Sequence, residues 1–437
     1  MNPFLNCKPI TGLNIESFLK QVQLQEHMTQ EQIDKEVSRK EVWSWSLYDF
    51  ANSGYASVIP VLLFPLYYKA LVLGNSPNAD LWWGLTVGIS VFLAGILSPV
   101  IGAWADVTKR RKAAFVLSSL LAILGTEALA ITGKLGPLLI TLVFITTNTS
   151  FNIALTLYDS LMFNVSNKSN SGKISGLGWA LGNAGGMLCT LLIYPFLNGA
   201  NSDYVVIFLM VAVFYLIFSL PSFFYVKETE LFDLDKSKTP LRDSLKKVFG
   251  TIKNWRKNKT LIMFLAAFYF FSEGIVTLSY FGALYATSTL GLSQKTLAIL
   301  FILQQLIAIP STFLICKKAD KIGYRKVLLC TTLGMAAIIL LFAIAKTATW
   351  MYIVIPLSGL VGGSSQATAR AWFKTLVPHK ERSEWFGFNA LASKVSAMLG
   401  PILFGIISTA TGSQRLAIGF TGIYFLVSLA IFIKIKK

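Results

Sequence analysis

Residues Cys316–Lys326 read CKKADKIGYRK and lie between two long apolar runs, and the prediction of the fold starts from them. A second, weaker copy, Gly102–Lys112, reads GAWADVTKRRK. In each copy an aspartate follows one apolar run and basic residues precede the next, as a tight turn between two membrane helices requires. The basic side chains stay in the cytoplasm, and the carboxylate can stabilise a helix N-terminus or pair with an arginine. The repetition indicates that the chain is a duplication.

Both turns resemble the loop signature of the major facilitator superfamily, a glycine and an aspartate followed by basic residues at fixed spacing. The second copy keeps Asp320, Lys321, Gly323, Arg325 and Lys326, with Cys316 in place of the first glycine. The first copy keeps Gly102, Asp106, Arg111 and Lys112, whereas Val107 and Lys109 depart from the signature. The resemblance implies that these residues form gating loops between neighbouring spans.

The composition is that of an integral membrane protein. Of the 437 residues, 54% are hydrophobic and 14% are charged, and the mean hydropathy is +0.60. The net charge of +18 would suggest a nucleic-acid partner in a soluble protein. Most lysines and arginines instead fall in alternate loops between the apolar runs, where the positive-inside rule explains them. The sequence therefore predicts a lipid bilayer as partner and no binding of nucleic acid.

Twelve apolar runs follow the polar N-terminal segment, each near the ~20 residues that a membrane-spanning helix needs. They lie at 45–73, 82–104, 113–132, 137–158, 174–197, 203–226, 260–286, 293–316, 327–345, 350–369, 386–409 and 416–434. The predicted fold is all-α and membrane-embedded, with twelve transmembrane helices in two pseudo-symmetric six-helix bundles. This is also the major facilitator fold that the resemblance implies.

The predicted organisation has four parts. They are a cytosolic tail at 1–42, an N-terminal bundle at 43–226, a cytoplasmic linker with an amphipathic helix at 227–259, and a C-terminal bundle at 260–437. Placing the lysine-rich loops inside puts both termini in the cytoplasm. The expected location is the inner membrane of a bacterium, or the vacuolar membrane if the source is eukaryotic.

No residue pattern indicates a cofactor, a metal site or an enzyme. The cysteines Cys7, Cys189, Cys316 and Cys330 lack the spacing of a disulfide framework or a metal site. Catalytic motifs and the phosphate-binding sequence GxxxxGK[ST] are missing, so ATP hydrolysis is not expected to drive the protein. Because His27 and His379 lie outside the apolar runs, proton chemistry in the membrane would use carboxylates.

The first apolar run carries polar side chains on one helical face. Asp49 and Asn52 are three residues apart, which brings them to the same side of a helix. An ionisable group within a span is costly and usually faces a bundle interior or a wet cavity. Alternatively, Asp49 lies near the cytoplasmic end and reaches headgroup water.

The fourth run carries two asparagines, Asn148 and Asn152. They can bind a polar substrate. Alternatively, each can hydrogen-bond to the helix on which the other lies.

Further stretches resemble one branch of the superfamily, the autophagy-related vacuolar amino-acid effluxers with their bacterial relatives of mostly unknown substrate. In the N-terminal half the resemblance is carried by Trp43–Ala56 and Ser175–Gly182. In the C-terminal half it is carried by Gly362, Gly363, Gln366, Ala367, Arg370, Leu376–Pro378, Phe386–Phe388, Lys394 and Leu399–Pro401. The resemblance covers nearly everything from Trp43 onward, and it implies export of small amino acids or similar metabolites.

Charged side chains in the C-terminal runs are candidates for binding and coupling. Glu273 lies about 20 Å into the seventh run at ~1.5 Å per residue. Lys394, surrounded by apolar sequence, is expected to need a carboxylate partner, either Glu273 or Asp49. We hypothesise that protonation of the acid breaks this pair and shifts the bundles toward one access state; a permanent structural pair is the alternative. Gln366 and Arg370 offer donors to a substrate carboxylate, although Arg370 can instead snorkel to the membrane surface.

These features predict a secondary transporter that moves a small solute by alternating access between two bundles. The amino-acid substrate class and the direction of export rest on the resemblance, and coupling to protons stays open. The rival hypothesis is a membrane sensor or scaffold that keeps the fold and signals through its tail and linker. The polar residues inside the spans argue against it, because a scaffold needs none. We expect a monomer.

Overall fold

A computed structural model describes residues 38–132, 136–165, 171–199, 202–228, 259–377, 393 and 397–435. In these ranges the chain forms twelve helices of 13 residues or more and two short 3₁₀ helices, Tyr194–Phe196 and Ala348–Trp350. The twelve are α1 Arg39–Val72, α2 Ala79–Thr108, α3 Arg111–Thr132, α4 Pro137–Val165, α5 Ser171–Ile193, α6 Tyr204–Tyr225, α7 Lys259–Ser288, α8 Gln294–Ile322, α9 Tyr324–Ile344, α10 Met351–Leu376, α11 Leu399–Thr411 and α12 Gln414–Lys434.

Each predicted apolar run overlaps one of these helices, so the twelve-helix fold is confirmed. The run at 386–409 meets α11 only from Leu399 onward. Within the described ranges, 10 helices are long and apolar enough to cross a membrane; α10 and the shorter α11 are the other two. Most of the predicted tail, most of the predicted linker with its amphipathic helix, and Lys394 lie outside the described residues; the last residues of the predicted tail, from Arg39, belong to α1.

Local sequence explains where several helices begin. Asp203, Ser293 and Ser413 precede α6, α8 and α12, and each side chain accepts a backbone N–H from the first helical turn. Such caps satisfy donors that have no partner within the helix. The apolar residues that follow are favourable on all sides, because a membrane helix faces either lipid or its neighbours.

The first helix is irregular where it contains prolines. It is α-helical over Arg39–Ser57 and π-helical over Val58–Leu63 and Tyr68–Val72. Pro60 and Pro65 lie in and beside the first π-helical stretch. Proline has no backbone N–H, so the regular hydrogen-bond ladder is interrupted and wider turns form.

The two halves of the chain pack their helices in the same way. In the first half α1 packs against α5 and α6, and α3 against α4 and α6; in the second half α7 packs against α11 and α12, and α9 against α10 and α12. The halves meet through α2 against α11 and through α8 against α5. Each contact has its counterpart six helices along the chain, as an internal duplication requires.

Because successive spans alternate in direction, the described chain ends and the turns before α3 and α9 lie at one end of the bundle. We call it the basic end, since it carries Lys109–Lys112 and Lys321–Lys326. The turns before α2, α8 and α12 lie at the other end, called the opposite end.

Candidate functional site

Asp49 lies on α1 at its contact with α5. The Nδ2 of Asn52 donates to Oδ1 of Asp49 at 3.3 Å, so the two residues share a helical face as predicted. Gly178 of α5 leaves space for the carboxylate, because a Cβ added there would lie 2.6 Å from Oδ2 of Asp49. Because Gly178 has no side chain, the half-buried carboxylate of Asp49 fits between the two helices.

A charge from the other half of the protein reaches the same place. The Arg370 guanidinium of α10 lies 5.9 Å from the ring centroid of Trp179, the residue after Gly178 on α5. Arg370 and Asp159 of α4 are both close enough to Asp49 to interact with it electrostatically. Carboxylates of one half and a guanidinium of the other thus face a common region, which we call the Asp49 cluster. Gln366 is half-buried one turn before Arg370 on α10.

The two asparagines of α4 make hydrogen bonds within the helix bundle. Asn148 is fully buried, and its Nδ2 donates to Oγ of Ser90 on α2 at 2.7 Å. The Nδ2 of Asn152 donates to the backbone oxygen of Asn148 at 2.8 Å. These bonds agree with the structural alternative for the pair, and contact with a substrate stays a prediction.

Glu273 lies on α7 with 1% of its surface exposed. Its Oε2 accepts the backbone N–H of Gly400 at 2.7 Å, within the first turn of α11. A helix N-terminus carries unpaired N–H groups and a partial positive charge, so it stabilises a carboxylate. A Cβ on Gly400 would lie 2.7 Å from this oxygen and would overlap Oγ1 of Thr277. The structure thus connects Glu273 to the start of α11, a contact that the sequence did not reveal.

The predicted partner of Lys394 stays a prediction, because Lys394 lies outside the described residues. The two candidate acids, Glu273 and Asp49, belong to α7 and α1. These are equivalent helices of the two halves, so each half contributes one of the two candidate acids.

The turns before α3 and α9 each contain a residue with positive φ. Gly323 joins α8 to α9 with φ 94°, and Lys109, at the equivalent position before α3, has φ 54°. Left-handed backbone costs a residue other than glycine roughly 1 kcal/mol. The first copy therefore keeps the positive φ at this position even though Lys109 departs from the signature.

Glu228 binds the start of α3, next to the loop that joins α2 to α3. Its carboxylate accepts the backbone N–H groups of Arg111 at 2.8 Å and Lys112 at 3.2 Å. The Nζ of Lys112 donates to the backbone oxygen of Phe224 at 3.3 Å. Glu228, three residues after the end of α6, is therefore tied to the start of α3.

The second turn is tied to the end of the chain. The Nη2 of Arg325 donates to the backbone oxygen of Ile433 on α12 at 2.8 Å. Lys321 and Lys326 are exposed. Gly102 lies in α2, seven residues before Lys109, and a Cβ added there would meet no atom within 4 Å. The side chains of Asp106 and Asp320 lie outside the described part of the structure, so their predicted roles stay predictions.

Sequence reasoning misses Asp80, which lies in the first turn of α2 with 5% of its surface exposed. It precedes the predicted second span and therefore reads as a loop residue. Lys69 Nζ lies 2.8 Å from Oδ1 of Asp80. The available signal was Lys69, a basic residue inside the first predicted apolar run that needs a carboxylate partner.

Comparisons with known proteins agree with the membrane fold. Residues 164–437 match the family described as Vacuole effluxer Atg22 like. The uncharacterized MFS-type transporter YxiO of Bacillus subtilis is 26% identical over 401 residues, which cover 89% of this chain and 93% of that protein. Autophagy-related protein 22 of Cryptococcus neoformans is 30% identical over 171 residues, which cover 36% of this chain and 30% of that protein.

Solved transporters have the same fold. The partially occluded inward-open xylose transporter XylE from E. coli aligns with a TM-score of 0.70 and 12% identity, covering 91% of this chain and 97% of that one. The nucleoside transporter NupG aligns with a TM-score of 0.68 and 12% identity, covering 91% and 100%. These likenesses confirm the predicted major facilitator fold.

Proposed function

The chain belongs to the Vacuole effluxer Atg22 like family and is a membrane transporter of the major facilitator type, and we propose that it exports a small polar solute by secondary active transport. The solute is an amino acid or a related metabolite. The two halves rock against each other, so that the binding site opens in turn to each side of the membrane. The basic end faces the cytoplasm, since lysine and arginine concentrate there. The protein works as a monomer in the membrane, and no ATP is used.

The observation that carries this proposal is the Asp49 cluster, in which opposite charges come from different halves. A zwitterion such as an amino acid has an ammonium group for Asp49 and a carboxylate for Arg370. Arginine suits a carboxylate because its planar guanidinium donates two parallel hydrogen bonds. A solute held this way bonds to both halves at once, which would favour closure of the halves around it.

Glu273 is the proposed site of proton coupling. It is buried in the membrane and hydrogen-bonded to Gly400 at the start of α11. Binding of a proton would weaken this charge-assisted hydrogen bond. Since α11 is also the helix that contacts α2 of the first half, a change at Gly400 can alter how the halves meet.

Neutralising the Asp49 cluster is expected to weaken solute binding. Asp49→Asn and Arg370→Gln each remove one charged hydrogen-bonding group, about 1.5–3 kcal/mol, so affinity should fall roughly 10- to 100-fold. The measurement is counterflow of labelled amino acids in proteoliposomes, with neutral, acidic and basic members. The solutes to test come from comparing metabolites of cells with and without the protein.

The matched control is Glu127→Gln, which neutralises a half-buried carboxylate of α3 that has no part in the proposal. It should keep the wild-type affinity. If folded wild-type protein moves none of the solutes that differ between the cells, secondary transport is wrong and the scaffold hypothesis is favoured. If transport occurs but both variants bind like wild type, the Asp49 cluster is not the binding site.

A further inference from the structure

Asp80 joins the two halves at the opposite end of the bundle. Its Oδ1 accepts a hydrogen bond from Lys69 Nζ at 2.8 Å, within the first half. Its Oδ2 accepts from Oγ of Ser408 on α11 at 2.6 Å and from Nε2 of Gln414 on α12 at 2.7 Å, both in the second half. The three residues Asp80, Ser408 and Gln414 are buried. We call this group the Asp80 junction.

The partners of Asp80 are held in place by their own neighbours. Oγ1 of Thr289, after α7, donates to Oε1 of Gln414 at 2.6 Å, which turns the amide nitrogen toward Asp80. A Cβ added to Gly405 of α11 would lie 2.7 Å from the backbone oxygen of Asp80. The backbones of α2 and α11 therefore approach closely beside the junction, and the donor geometry is fixed in advance.

Other hydrogen bonds close the same end. Oγ of Ser202, before α6, donates to Oε1 of Gln294 on α8 at 2.8 Å, and Nε2 of Gln294 donates to the Tyr204 hydroxyl at 3.0 Å. Nε1 of Trp83 on α2 donates to the backbone oxygen of Tyr280 on α7 at 3.0 Å. Each of these bonds crosses from one half to the other, so the opposite end is closed in this structure.

We propose that the Asp80 junction is a releasable latch that sets how often the opposite end opens. The proposal rests on the proposed alternating-access function. Lys69 belongs to the same half as Asp80 and moves with it, so the ion pair persists when the halves separate. Of the bonds to Asp80, only those from Ser408 and Gln414 break, and both come from neutral donors that water can replace.

This division of partners is what a latch needs. A carboxylate whose charge partner lay in the other half would leave two unpaired charges on opening, and separating such a partly buried pair is costly. Here the charge is neutralised before and after opening. The cross-half bonds are strengthened by the negative acceptor, yet they are few enough to break in every cycle.

The test measures closure directly in the full-length protein in liposomes. The four native cysteines are replaced by serine, and Ser202→Cys with Gln294→Cys provides a pair that a short bifunctional thiol reagent joins when the opposite end is closed. Ser408→Ala removes one hydrogen bond to the charged acceptor and is expected to slow cross-linking roughly tenfold; Asp80→Asn weakens both cross-half bonds and should slow it at least as much. Glu127→Gln should cross-link like the parent.

Ser408→Ala leaves the ion pair intact, so it decides the matter if Asp80→Asn fails to fold. Cross-linking of folded Asp80→Asn and Ser408→Ala at the parent rate would overturn the latch. The readout needs no transported solute. Slower cross-linking in the variants of a protein that shows no flux would therefore support the latch and count against the proposed function. Normal flux with unchanged cross-linking would support the proposed function and overturn the latch.

Discussion

Replacing Glu273 by glutamine is expected to reduce solute flux driven by a pH gradient to background, while exchange without a gradient continues. Glutamine has nearly the same shape, and its carbonyl oxygen can still accept the N–H of Gly400. It cannot bind and release a proton. An ionisable group at this depth is the kind of residue that marks proton pathways in transporters. The measurement is uptake into proteoliposomes across an imposed pH gradient, compared with counterflow at equal pH.

Two further variants sharpen this experiment. Glu127→Gln removes a membrane carboxylate from α3 and should keep the full response to the gradient. Gly400→Ala keeps the acid but places a Cβ 2.7 Å from its Oε2, so it should disturb coupling without removing the titrating group. A Glu273→Gln protein whose flux follows pH as in wild type would exclude Glu273 from coupling.

Replacing Gly185 by alanine should separate α1 from α5 and strongly destabilise the protein. A Cβ there would overlap the backbone oxygen of Phe50 and lie 2.6 Å from its carbonyl carbon. A backbone cannot rotate aside as a side chain can, so the helices must move apart. Overpacking of this kind costs about 1–3 kcal/mol, occasionally more. Thermal unfolding in detergent should show a lower midpoint, and less folded protein should be recovered.

Gly176 of the same helix is the matched control. A Cβ added there meets no atom within 4 Å, and alanine is the better helix former. Gly176→Ala should therefore unfold at or above the wild-type temperature. Equal midpoints for the two variants would show that close contact at Gly185 does not limit stability.

The sequence predicts the fold because its signals are local and repeated. A span needs about 20 apolar residues wherever it lies, so each helix can be found without knowing its neighbours. The turn at Gly323 and its copy at Lys109 identify the duplication for the same reason. The position of the basic residues predicts the orientation without reference to packing.

The candidate site was predicted less completely, because its contacts join residues far apart in the chain. Spacing along one helix placed Asp49 beside Asn52. It could not show that Gly178 makes room for Asp49 or that Arg370 approaches it from the other half. Glu273 was recognised from its depth alone, and its bond to Gly400 became visible only when α7 and α11 were packed together.

Asp80 shows most clearly which properties of a residue follow from the sequence and which from the tertiary structure. In the sequence it is an acidic residue at the edge of an apolar run, which solvent could surround. In the structure the second half supplies Ser408 and Gln414, and the same carboxylate becomes buried between the halves. Hydropathy and charge fixed the number of spans and the duplication, because the bilayer acts on each segment separately. Which polar groups meet was decided by the tertiary structure alone, since a hydrogen bond depends on distances that only helix packing sets.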